Sequence, residues 1–141
     1  MQKLIFTLLF MCFALFAKAD TIDYWHVYKN DIKIEEYNIF FREKEIIIRT
    51  NDIKRADSLV IIYFRDTPCY DCECYIFVKD ENKETIVQNK AKGTFHPIKI
   101  SLFDIQKSHS KTCKSYYQIF YEEKDNRYQQ GKMFLFRIKI E

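Results

Sequence analysis

From Trp25 onward, apolar and polar residues alternate with a period of two through most of the chain, the spacing of strands that bury one face. Trp25 and Val27 alternate with His26 and Tyr28, and Asn30-Asp31 is a two-residue turn signal before Ile32 and Ile34. Ile39 and Phe41 alternate with Asn38 and Phe40. Ile46-Ile47-Ile48 is continuous, as in a strand buried on both faces, and residues 59–64 form the most apolar and most central segment. A short strand over 75–78 turns through 80–83 into Thr85-Ile86-Val87, and Gly93 marks a break. Ile98, Ile100 and Leu102 form one alternating set, and Tyr117, Ile119 and Tyr121 another. Residues 122–131 read as a charged loop before the clearest pattern of all, Phe134, Phe136, Ile138 and Ile140.

No segment after the N-terminal run sustains a helical period, although residues 103–107 suit one helical turn between strands. Eight to ten short strands at spacings near ten residues predict an all-β fold: a two-layer antiparallel β-sandwich, Ig-like or jelly-roll-like, rather than a barrel. Composition agrees. There are 13 Phe and 10 Tyr but only two Gly and two Pro, and aromatic residues favour strands.

The N-terminus changes the expected compartment. Lys3 precedes an uncharged apolar run over residues 4–17, and Ala17-Lys18-Ala19 offers the small residues that a signal peptidase reads. Residues 1–19 are therefore expected to be a cleaved signal peptide, leaving a single β-sandwich domain over 20–141 in a secreted or periplasmic setting. Cys12 follows Phe10-Met11 rather than a small residue, which argues against lipidation, and no later run suits a membrane span. Cleavage removes Lys3 and Lys18, so the 23 basic residues fall to 21 against 20 acidic ones. That balance, with Lys and Glu interleaved over 79–84 as on a solvated surface, gives no basic stripe for nucleic acid.

Cys69, Cys72, Cys74 and Cys113 remain in the exported chain, and an even count there implies disulfides. A Cys72–Cys74 bridge would close a very tight ring. The favoured pairing joins Cys69 to Cys72 and Cys74 to Cys113, slightly ahead of Cys69–Cys74 with Cys72–Cys113. The bridge to Cys113 would close a loop of about 40 residues, worth roughly 4 kcal/mol in the chain-entropy model. Two sharper chemistries compete. Residues 60–64 followed by Cys69-Tyr70-Asp71-Cys72 resemble the strand and Cys-x-x-Cys motif of the thioredoxin family, which implies thiol redox activity. In that family a helix follows, whereas here residues 73–78 have a strand pattern and Asp66, Asp71 and Glu73 oppose thiolate formation. Zinc held by four thiolates is the other, but two separated Cys-x-x-Cys pairs are absent and the compartment is oxidising.

No catalytic constellation and no cofactor fingerprint occurs. His26, His96 and His109 lack metal-ligand spacing, and the polar segment around His109 has no orienting acid for a triad. Residues 66–73 are the most distinctive segment, and Asp66, Tyr70, Asp71 and Glu73 form a candidate binding loop stapled by cysteine. Exposed tyrosines among Tyr24, Tyr28, Tyr70, Tyr75, Tyr116 and Tyr128 would suit carbohydrate. The expected role is a non-enzymatic module of the bacterial envelope that contacts a protein partner, with carbohydrate binding or thiol redox chemistry as alternatives.

Overall fold

Alternating apolar faces build nine strands among the described residues, 22–125 and 131–141 of a computed structural model. The expected signal peptide lies outside them. In chain order come β1 (Tyr24–Lys29), β2 (Ile32–Asn38), β3 (Glu45–Ile48), β4 (Ser58–Phe64), β5 (Glu73–Lys79), β6 (Thr85–Lys92) and β7 (Ile98–Ser101). Helix α1 (Leu102–Thr112), β8 (Tyr116–Lys124) and β9 (Met133–Ile140) follow. They form an all-β sandwich of two sheets, ordered β2-β1-β4-β7 and β3-β9-β8-β5-β6. Every pairing is antiparallel except that of β3, which lies parallel to β9. No described helix is long and apolar enough to cross a membrane.

Aromatic side chains fill the space between the sheets. Trp25 is fully buried with Tyr37 and Tyr63 stacked beside it, each 6.1 Å away. Tyr37 then stacks on Phe136 of the facing sheet at 5.1 Å, and Tyr63 on Tyr121 at 4.4 Å. Each fully buried large apolar side chain contributes about 1.5–3 kcal/mol by leaving water.

Several local expectations change in this setting. Ile39 and Phe41 do not continue a strand. The Asn38 side chain accepts hydrogen bonds from the Phe40 and Phe41 N–H groups at 2.9 and 3.0 Å, which bends the chain and leaves both rings outside. Ile47 is 58% exposed, because β3 is an edge strand covered on one face only. The charged segment after Tyr121 begins as strand, with β8 running through Lys124.

The helical turn grows to eleven residues, and Leu102 opens it instead of closing a strand. Ser101 caps it by accepting from the Asp104 N–H at 3.2 Å, and Leu102 and Ile105 bury one face. Cys113 ends it in the left-handed region at φ 56°, donating its N–H to the His109 carbonyl. Ser101→Ala is expected to cost about 1 kcal/mol through loss of this cap, read as a lower urea midpoint at unchanged slope.

Candidate functional site

The end of the sandwich where β4 leaves and β5 begins holds Cys69, Cys72 and Cys74. Residues 66–72 connect the two sheets there. This loop is clamped to the segment after β6: the Gly93 N–H donates to the Cys72 carbonyl at 2.8 Å and the Thr94 N–H to that of Cys69 at 2.7 Å. The Cys69 N–H in turn donates to the Thr94 hydroxyl at 3.0 Å. Gly93 holds φ +80°, and a Cβ there would lie 3.0 and 3.1 Å from the Tyr70 and Cys69 carbonyl oxygens, so the close approach needs glycine.

Cys69 and Cys72 form a disulfide. The short ring closes little chain, worth roughly 2 kcal/mol in the loop-entropy model. The expected Cys74–Cys113 bridge is not made: both are free cysteines, Cys74 buried and Cys113 exposed. The sheet register explains why. Cys74 pairs with Glu123 at one end of β8, whereas Cys113 precedes Tyr116 at the other end. Five register steps from Cys74 to Lys79 already span roughly 17 Å, and a disulfide needs Cα atoms within about 7 Å.

Cys74 is instead held in a polar nest. Its Sγ lies 3.8 Å from that of Cys72 and 3.0 Å from the Tyr121 hydroxyl. Cys74 opposes Glu123 and Ile76 opposes Tyr121, so Cys74 and Tyr121 are diagonal neighbours on the inner face. The Tyr121 hydroxyl is also 3.3 Å from Glu123 Oε2. Glu123 is only 6% exposed, and Arg65 from the opposite sheet donates to both its oxygens at 2.8 and 2.9 Å. Burial pushes the Cys74 thiol up, with the Tyr121 hydroxyl pulling the other way. The Tyr121 hydroxyl is also pushed up, again mainly by burial.

The predicted loop residues form an exposed rim around this nest. Asp66, Tyr70, Asp71 and Glu73 are all exposed, with Tyr70 at 75%. Asp71 pairs with Lys92 at 3.2 Å, and Glu73 with Lys90 at 2.5 Å. The hydrogen bond from Lys90, helped by one from Tyr75, holds the Glu73 carboxyl below its usual range. These lysines pair with two of the three carboxylates of the rim. Beside Tyr70, His96 and Lys92 line a shallow hollow. The other candidate tyrosines are engaged. Tyr24 stacks on Phe64, Tyr28 meets His26, Tyr75 lies under Lys90 and Lys124, and Tyr116 under Arg137. Tyr128 lies outside the described residues. The three histidines are scattered: His26 pairs with Glu36 and His109 contacts the Lys114 carbonyl.

Arg65, Tyr121 and Glu123 are the members that sequence reasoning missed. One signal was present: Glu123 continues the alternation of Tyr117, Ile119 and Tyr121, which places a carboxylate on the apolar face. The sulfurs of Cys69 and Cys72 and the Glu123 carboxylate lie within 4.8 Å of one another. With the two sulfurs bonded, neither offers the thiolate that a zinc site uses.

Fold and site together define a two-sheet β-sandwich with a cystine loop at one end and a third, buried cysteine beneath it. No family model, curated protein or solved structure matches the chain.

Proposed function

We propose that this chain is an exported, non-enzymatic interaction module that binds a protein partner along the open side of its sandwich. The supporting observation is the set of exposed apolar side chains on β2 and just beyond it, chiefly the adjacent rings of Phe40 and Phe41. On the opposite side β6 and β7 lie together, tied by Asn89 donating to the Lys99 carbonyl at 2.7 Å. The β2 and β3 edges stay apart, bridged by an ion pair between Glu35 and Lys44. Between them runs a groove of about 540 Å³ in which Ile34, Ile46, Ile47 and Ile48 lie among charged residues, including Glu35, Glu45, Arg49 and Asp52. Ile32, at the start of β2, is 72% exposed, and beyond the other end of the strand Phe40 at 69% and Phe41 at 74% line a separate hollow with Tyr37 and Lys44.

Two adjoining exposed rings beside further exposed apolar groups mark a contact surface. Strand addition fits this edge poorly. β2 carries Lys33, Glu35 and Glu36, and its register with β1 skips Ile34, two features that blunt backbone pairing. A partner therefore docks through side chains, against Phe40 and Phe41.

Phe40→Lys with Phe41→Lys tests this, because both rings already face water and the double variant should fold as the parent does. Cross-linked pull-down from a native envelope fraction is expected to recover one partner with the parent chain and to lose it, by about tenfold or more, with the variant. Equal recovery by both chains, or nothing above background with either, would overturn the reading.

A further inference from the structure

We propose that Cys74 is an internal nucleophile that moves the cystine, exchanging the Cys69–Cys72 bond for a Cys72–Cys74 bond and releasing Cys69 as a thiol accessible to disulfide-bearing partners. Four features of the nest carry this. The attacking and attacked sulfurs, Cys74 and Cys72, are already near van der Waals contact at 3.8 Å. A proton path leads away from Cys74 once the Tyr121 hydroxyl, which donates to Cys74 Sγ at 3.0 Å, turns its proton to Glu123 Oε2 at 3.3 Å. The departing sulfur is met by a donor, because the Cys72 N–H points at Cys69 Sγ from 3.1 Å. Finally, the Gly93 and Thr94 hydrogen bonds hold the loop without help from the disulfide, so breaking the bond leaves the sulfurs in place.

The step balances without an oxidant. Cys74 passes its proton to Tyr121 as Tyr121 passes its own to Glu123. The Cys74 sulfur pair then forms the bond to Cys72 Sγ. The electrons of the Cys69–Cys72 bond leave on Cys69, which takes a proton from water, and Glu123 returns its proton to solvent. One cystine and one thiol exist before and after. Exchange of this kind proceeds through the attacking thiolate, so the removal of the Cys74 proton sets its rate, and it is helped by a donor on the leaving sulfur. It also moves the free thiol outward, from the 1% exposed Cys74 to the half-buried Cys69, whose Sγ lies 4.0 Å from Asp125 Oδ2. The tight Cys72–Cys74 ring makes the new isomer the minor one, so Cys69 is a reserve thiol and not a standing one.

The test uses the full chain carrying Cys12→Ser and Cys113→Ser, so that Cys74 is the one thiol left beside the cystine. It is held with iodoacetamide near pH 8 and mapped by mass spectrometry at intervals. The expected product is alkylated at Cys69 and linked Cys72–Cys74, and it grows with time. Adding Cys74→Ala is expected to slow Cys69 labelling by about tenfold or more. If that variant does not fold, Tyr121→Phe keeps the ring and every sulfur, and should slow the same labelling about tenfold while near-ultraviolet circular dichroism is unchanged. Label on Cys74 with the Cys69–Cys72 bond intact, no label at all, or Cys69 labelling at the parent rate in the variants would each overturn the proposal.

Discussion

Trp25→Ala is expected to destabilise the chain by about 4 kcal/mol, a loss at the upper end for a single core side chain. Trp25 is fully buried, and two stacked rings contact it from within its own sheet. Those rings, Tyr37 and Tyr63, carry the contact with the facing sheet through Phe136 and Tyr121. A cavity at Trp25 therefore loosens both inter-sheet stacks as well as losing its own contacts. A domain of this size is typically stable by about 5–15 kcal/mol, so the variant is left marginal. Trp25→Phe separates packing from polarity. The indole N–H is buried without a hydrogen-bond partner among the described residues, and removing it relieves a desolvation cost. Its expected cost is only about 1–2 kcal/mol. Urea denaturation followed by far-ultraviolet circular dichroism checks both, since fluorescence is lost with the single Trp. Equal costs for the two variants would refute the polar part of the argument.

Asp80→Ala is expected to cost about 3 kcal/mol and to flatten the acid limb of the stability profile. Asp80 is only 1% exposed. One carboxylate oxygen accepts from the Asn82 and Glu84 N–H groups at 2.9 Å each, shaping the β5–β6 turn. The other accepts from Lys114 at 2.5 Å, which ties that turn to the start of β8. Alanine strands two N–H groups and a largely buried ammonium. In the parent, burial raises the Asp80 carboxyl, but Lys114 and the turn N–H groups outweigh it and hold the carboxyl below its ordinary range. A depressed folded value stabilises the native state above the ordinary aspartate value of about 4. That contribution is lost as the pH falls through the lower folded value. Urea midpoints between neutral pH and about pH 3 should fall less steeply for the variant. Parallel profiles would show that Asp80 does not titrate in this way.

Asp80 also shows where sequence reading stops. In the run Lys79-Asp80-Glu81-Asn82-Lys83-Glu84 every residue looks solvated, and the turn was legible from these residue types. Its buried member is set by Lys114, 34 residues further on. The candidate site divides in the same way. The Cys69–Cys72 bond and its exposed acidic rim were within reach of local spacing. The Arg65–Glu123 pair, 58 residues apart, and the Tyr121 contact with Cys74, 47 apart, were not.

The sequence by itself determined the all-β sandwich, most of its strands and the Asn30-Asp31 turn, because period-two alternation and turn residues act within a few positions of one another. Only the tertiary structure decided the strand order, the parallel β3–β9 pair, the freedom of Cys74 and Cys113, and the nest beneath the cystine. The reason is physical: alternation says which face of a strand is buried, but which residue meets which across the core depends on strand neighbours and register, and these form only when the two sheets close on each other.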